Sequence, residues 1–408
     1  MVYLIYQSVT CGKDAGRKEI FTMKAIINGK IILPNQIIED MALLFNEKIV
    51  GIVDNESAKA MTDVTEVIDA SGKYVSPGLI DIHIHGYLGE EAAEGEKDGI
   101  KKMAEGILAN GCTAWLPTTM TVAKPQIEKS LKAIRDLKEE SLKGKDEWCG
   151  AQVLGANVEG PFINPSKKGA QAEEYILKPD AKFIKEYADV IKIISIAPEM
   201  DDDFQCIKEV AADTNVVLSI GHTGADFETA VASTKVGISH VTHLFNAMTG
   251  LLHRAPGVVG AAFATDVSVE VIADTFHIHP GLYSVIDKLK GDKMCLITDC
   301  VRAGGLEDGE YTLGGQKIIV KGIECRLEDG TIAGSVLKLN NAVRNVRDNT
   351  DMPLWQIVAA ASYNPAVVIG VSDTKGSLEA GKDADIVITD ADFNVEETFV
   401  RGVSYYKK

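Results

Sequence analysis

The chain has 408 residues, room for one α/β barrel of roughly 250 residues and a smaller companion domain. Apolar residues make up 46% and charged residues 25%, the balance of an ordinary globular protein, which excludes disordered and low-complexity classes. With 59 acidic against 42 basic side chains the net charge is −17, so nucleic acid and anionic membranes are set aside as partners. No apolar run approaches the 18 residues that a membrane helix needs. The seven cysteines include no CxxC pair, and an odd count fits a reducing, cytoplasmic compartment.

Taken in chain order, residues 1–22 show no period, whereas a strand-like pattern begins after Met23. Residues 1–22 therefore read as a dispensable N-terminal extension, with Met23 as the functional start. Residues 23–76 read as short strands such as Met41–Phe45, Lys48–Val53 and Val64–Asp69, punctuated by turns at Asn46-Glu47 and Ser71-Gly72. Residues 377–408 look alike, with strands at Ala384–Thr389 and Val395–Tyr406. The two ends together predict a small β-sandwich domain that is discontinuous in sequence.

Between them, residues 77–376 repeat a short apolar strand followed by a polar or glycine-rich end and an amphipathic helix. Eight strands are predicted: Leu79–His85, Thr113–Thr119, Gln152–Glu159, Lys192–Pro198, Val216–His222, His240–Asn246, Val269–Asp274 and Met294–Asp299. Helices follow at 126–140, 181–188, 204–212 and 225–236, and a glycine-rich hairpin at 311–331 precedes a helix at 337–347. The predicted fold class is thus α/β, a (β/α)8 TIM-like barrel carrying the small β domain, with the active site at the strand C-terminal ends.

Residues two apart on a strand share a face, so His83 and His85 can both enter the barrel mouth. Such a pair is either incidental or half of a metal site. Glu159, His222 and His243 fall at equivalent strand ends, and imidazoles converging with a carboxylate form a ligand set for Zn²⁺ or another borderline divalent ion. Asp299, after apolar Cys295-Leu296-Ile297, is placed either as a general acid/base or as a helix cap. His240, three residues before His243, reads as a structural histidine facing the other way.

Pro77-Gly78-Leu79-Ile80-Asp81-Ile82-His83-Ile84-His85-Gly86 resembles the opening motif of the amidohydrolase superfamily. Val158-Glu159-Gly160-Pro161-Phe162, Ser219-Ile220-Gly221-His222-Thr223, Thr242-His243-Leu244-Phe245-Asn246-Ala247-Met248, Ile297-Thr298-Asp299 and Leu378-Glu379-Ala380-Gly381-Lys382-Asp383-Ala384-Asp385 follow in order. The ordered set is similar to the N-acetylglucosamine-6-phosphate deacetylase family.

That resemblance implies hydrolysis of N-acetylglucosamine 6-phosphate to glucosamine 6-phosphate and acetate. Glu159, His222 and His243 would hold one tight ion and His83 and His85 a second, so one or two divalent ions are implied, Zn first, then Fe, Mn, Co or Ni. Glu159 would take the bridging role that a carboxylated lysine plays elsewhere in the superfamily, since strand 4 ends in Ile196-Ala197-Pro198-Glu199. This departure argues against cyclic-amide hydrolases. The resemblance further implies Asp299 as proton carrier, His277 as donor to the acetamide carbonyl, and Asn246, Ala247 and Arg254 as the phosphate grip. The segment Ala333-Gly334-Ser335 would contact the sugar, and the arginine loop of a homodimer would reach the neighbouring subunit. The alternatives are the galacto epimer as substrate and a catalytically silent scaffold.

Overall fold

The computed structural model describes residues 22–408; the 1–22 extension lies, but for its last residue, outside them. Its centre is a nearly closed barrel of parallel strands. In order they are Leu79–Ile84, Cys112–Thr119, a broken third strand of Gln152–Val153 and Ala156–Val158, Ile191–Ile196, Val217–Ile220, Ile238–Val241, Ser268–Ile272 and Met294–Ile297. First and last strands meet where Asp299 N donates to His83 O (2.8 Å) and His85 N to Cys300 O (2.9 Å). Asp81, fully buried, accepts from the Thr298 hydroxyl (2.6 Å) and from His83 N (3.2 Å), tying the same seam. Burial pushes its carboxyl up to about 7 against those hydrogen bonds.

The strands are short runs rich in isoleucine, valine and leucine, buried on both faces, as parallel strands under helices must be. The helix Lys124–Glu140 shows why the covering layer forms. Its Ile127, Leu131, Ile134 and Leu137 recur at helical spacing on the buried side, and a proline stands in its first turn.

The structure revises three predicted elements. The third strand breaks at Gly155, whose φ is +145° and whose missing Cβ would lie 2.6 Å from Val190 O and 2.7 Å from the Lys192 side chain. The sixth strand spans Ile238–Val241 and ends before His243, so the alternation argument for His240 does not apply. The predicted hairpin is a three-stranded meander, Gly309–Leu313, Gln316–Lys321 and Glu324–Leu327. It packs through Leu313, Ile318 and Val320 on Ala93, Met120 and Val301 beside the barrel mouth.

Both chain ends build the second unit. One sheet holds Met23–Ile27, Met41–Phe45, Ile49–Asp54 and Val64–Asp69. The other interleaves Lys30–Leu33, Gln36–Ile38 and Tyr74–Pro77 with Ile386–Thr389, Val395–Val400 and Val403–Lys407. Ile26, Leu43, Val75, Ile386 and Ile388 share its core, where Phe45 and Phe399 meet edge to face at 5.5 Å.

The C-terminal segment is fastened by Lys375, 3% exposed, whose Nζ lies 2.8 Å from Asp383 Oδ2 and 2.7 Å from Asp385 Oδ2. Burial opposes its charge, but the two carboxylates outweigh burial and raise its pKa. Lys375→Met strands Asp385 without its cation, while Asp383 keeps Lys48 at 2.6 Å. The expected loss is about 3–5 kcal/mol, since removing one partner leaves a buried charge uncompensated. Urea unfolding followed by circular dichroism checks it; an unmoved midpoint would contradict it.

Candidate active site

Five of the predicted ligands and Asp299 converge at the strand C-terminal ends. His85 and Glu159 each stand one residue beyond their strands. His222, His243 and Asp299 each stand two residues beyond theirs, and all three have left-handed backbones, with φ of 48°, 26° and 50°. For residues with a Cβ that costs on the order of 1–3 kcal/mol apiece, which the packing around them must offset. A regular strand could not turn these side chains inward together.

The six groups form two trios, His83 with His85 and Asp299, and Glu159 with His222 and His243. Glu159 joins them. Its Oε1 lies 2.9 Å from His243 Nε2, 3.2 Å from His222 Nε2 and 3.3 Å from His83 Nε2, while its Oε2 lies 3.2 Å from His85 Nε2. Asp299 Oδ1 lies 3.2 Å from His85 Nε2 and 3.6 Å from His83 Nε2.

The tautomers show what this centre is made to hold. His222 Nδ1 is 2.8 Å from the carbonyl of Lys167, which can only accept, so Nδ1 carries the proton and Nε2 turns a lone pair toward Glu159. His83 Nδ1 likewise donates to Glu270 Oε2 at 2.8 Å. Imidazole lone pairs aimed at a carboxylate, with Nε2 atoms of His222 and His243 only 3.1 Å apart, need positive charge between them, supplied by ring protons or by a metal ion that displaces them. Neutral imidazole nitrogens and carboxylate oxygens are the donors that a divalent ion of the zinc type takes. The residues fit a metal centre.

Burial opposes charge at Glu159, Asp299, His83, His85 and His222, yet mutual attraction wins. Burial would raise the Glu159 carboxyl, but His222 and His83 hold it well below the ordinary range. Asp299 is lowered in the same way by its hydrogen bond to His85 and by the charges of His83 and His85. His85 rises to about 9 through Asp299 and Glu159, and His83 rises through Glu270 and Glu159. A group with a raised pKa keeps its proton until pH climbs through that value. Metal uptake by chelator-treated protein is therefore expected to expel protons at pH 7, with affinity rising as pH climbs toward about 9, where His85 loses its proton. Titration calorimetry in buffers of different ionisation enthalpy measures this; uptake without proton release would contradict it.

The trios open into a cavity of about 370 Å³, lined also by Lys167, Gln171, Asn246, Ala247, His277 and Gly334. His277 Nδ1 is tied to Asp274 Oδ2 at 2.6 Å, which fixes the ring. Asn246 and Ala247 lie on a sharp turn in which His243, Phe245 and Ala247 all have positive φ. Three predicted residues are not at the wall, and the first of them is His83, which is wholly buried. Arg254 lies on an exposed loop outside this cavity, and Ala333 is buried with its nitrogen on Cys325 O, leaving the wall to Ile332 and Gly334. His240 is buried within the barrel, with Nε2 3.2 Å from Glu270 Oε1.

Sequence reasoning missed Gln171 and Glu270. Gln171 Oε1 accepts from Thr121 N at 2.7 Å, which turns its Nε2 onto Glu159 Oε2. Glu270 stands between Val269 and Val271 in the middle of a buried strand, a signal open to inspection, since a wholly buried glutamate needs partners.

A (β/α)8 barrel whose strand ends gather histidines and acids able to hold a divalent ion has the arrangement of a metal-dependent hydrolase, and the chain belongs to the amidohydrolase family, whose model matches residues 74–404. Within that family it is similar to N-acetylglucosamine-6-phosphate deacetylase of Bacillus subtilis, 38% identical over 380 residues, covering 91% of this chain and 94% of that one. It is 33% identical over 341 residues to N-acetylgalactosamine-6-phosphate deacetylase of Escherichia coli O157:H7, covering 82% and 89%. The crystal structure of the Pasteurella multocida N-acetylglucosamine-6-phosphate deacetylase superposes with a TM-score of 0.86 at 31% identity, covering 93% of this chain and 98% of that one.

Proposed function

We propose that the chain hydrolyses the acetamide of N-acetylglucosamine 6-phosphate, giving glucosamine 6-phosphate and acetate within amino-sugar metabolism. The observation that carries the reading is the pair of trios joined by Glu159 at the floor of a cavity with His277 and Asp299 on its wall. A divalent ion held by Glu159, His222 and His243, with a second at His83, His85 and Asp299, supplies acidification of water and polarisation of the carbonyl when bound.

The chain's own groups do the rest. His277, fixed by Asp274, presents Nε2 to the cavity and in its protonated form donates to the acetamide oxygen as charge develops there. Asp299, ionised in this setting, takes the proton of the attacking water at a carboxylate oxygen and returns it to the amide nitrogen as the C–N bond breaks. Gln171 holds Glu159 in place. Gly334 and Ile332 shape the wall beside the sugar.

Asn246 and Ala247 stand where the 6-phosphate is held. Arg254 joins them from a second copy of the chain, because its loop is exposed together with Leu251 (52%) and Leu252 (64%), apolar surface that a homodimer would cover. A guanidinium suits phosphate through its planar fork of donors. Arg254→Ala is expected to raise KM for the phosphorylated sugar by roughly 10- to 100-fold, the worth of a charged hydrogen bond. Steady-state kinetics on the gluco and galacto 6-phosphates, run on wild type and variant, tests this. An unchanged KM would break the phosphate assignment, and faster turnover of the galacto epimer would reassign the substrate.

A further inference from the structure

Glu270 touches a ligand from each trio. Its Oε2 accepts from His83 Nδ1 at 2.8 Å and from the backbone N–H of His243 at 3.0 Å, and its own carbonyl accepts from Leu244 N at 2.9 Å. Its Oε1 faces His240 Nε2 at 3.2 Å, and His240 Nδ1 meets the Ser268 hydroxyl at 2.6 Å. Glu270 and His240 are both fully buried. The Ser268 hydroxyl either donates to His240 Nδ1, or turns to Ser239 O at 3.2 Å and accepts from that Nδ1, and in both orders His240 Nε2–H and His83 Nδ1–H donate to Glu270. The string ends on the Nε2 lone pair of His83.

We propose that Glu270, supported by His240 and Ser268, is a positioning residue that sets the ion affinity of the His83, His85 and Asp299 trio. The inference rests on the two-ion reading of the centre. To that trio Glu270 contributes the tautomer, ring angle and basicity of a ligand, because a carboxylate behind an imidazole strengthens its donor nitrogen. To the Glu159, His222 and His243 trio it contributes a backbone hydrogen bond, which other backbone contacts of that turn, such as Asn246 N to His243 O at 3.0 Å, also support.

The test is Zn²⁺ and Co²⁺ binding to the full chain by equilibrium dialysis with elemental analysis, alongside thermal melting. Glu270→Gln is nearly isosteric, but its amide must either drop the charge behind His83 or turn an N–H onto Nδ1. One of two ions is expected to bind 10- to 100-fold more weakly, the range for a lost partner behind a metal ligand. The other ion keeps its affinity, while the ion-free protein, which loses a buried carboxylate between two histidines, melts at a lower temperature. In a His83→Asn background, Glu270→Gln is expected to add nothing. His240→Asn, which leaves Glu270 in place, is expected to weaken the same ion less, and it carries the test if Glu270→Gln does not fold.

Equal weakening of both ions would make Glu270 a packing residue and overturn the proposal. So would two ions bound as tightly by Glu270→Gln as by wild type, while the two-ion reading survives. A wild type that takes up one ion only would overturn that reading and the proposal together.

Discussion

Replacing Asp299 by Asn is expected to lower kcat by about 10²- to 10⁴-fold, the usual worth of a positioned acid/base, with KM for the phosphorylated sugar nearly unchanged. Asn keeps the shape of the side chain and one oxygen near His85, where Asp299 Oδ1 now lies at 3.2 Å. It cannot accept a proton from water or return one to nitrogen. The backbone there is already left-handed, and Asn tolerates that conformation better than most residues, so the fold should not suffer. Steady-state kinetics with elemental analysis on the same sample separates the two roles. Near-wild-type kcat would remove Asp299 from the proton path, and loss of the ion at Glu159, His222 and His243 would show that its part is structural.

Glu159→Gln is expected to be more severe, because the Glu159 carboxylate faces the Nε2 atoms of both trios. Its two oxygens lie within 3.3 Å of Nε2 atoms on four histidines. A neutral amide withdraws the charge that balances a dication and places an NH₂ among imidazole lone pairs. Several kcal/mol of transition-state stabilisation go with the ion, and each 1.4 kcal/mol is tenfold in rate, so activity is expected to fall by at least about 10³-fold. Excess Zn²⁺ should not restore it. Metal content below half that of wild type, measured after dialysis, completes the expected result; full content with full activity would contradict the bridging role.

Much of this was legible in the chain because the physics involved is local. His83 and His85 share a face by the two-residue period of a strand, and strand ends in a barrel point to one mouth, so Glu159, His222 and His243 could be gathered without coordinates. What resisted was non-local or sterically irregular. His243 does not sit on a strand, as an alternation argument assumes, but on a left-handed turn two residues beyond one. Its neighbour His240 consequently lies beside Glu270 and not on an outer face. Glu270 and His83 are separated by 187 residues, and no spacing rule joins them. The break at Gly155 reflects the close approach of Val190 and Lys192, again a contact between strands. Arg254 carried the right chemistry for phosphate, but a single chain leaves it outside the cavity, so the phosphate role proposed for it requires a second copy.

The central claim is that this cavity hydrolyses the acetamide of a 6-phosphorylated amino sugar. The most direct measurement is acetate release by metal-loaded protein from N-acetylglucosamine 6-phosphate, set beside N-acetylglucosamine without the phosphate. The account predicts stoichiometric acetate and glucosamine 6-phosphate, with kcat/KM for the phosphorylated sugar higher by at least about 10²-fold, the worth of charged hydrogen bonds to the phosphate. Equal rates on the two sugars would contradict the substrate assignment, and no acetate from either, with metal bound, would contradict the reaction itself.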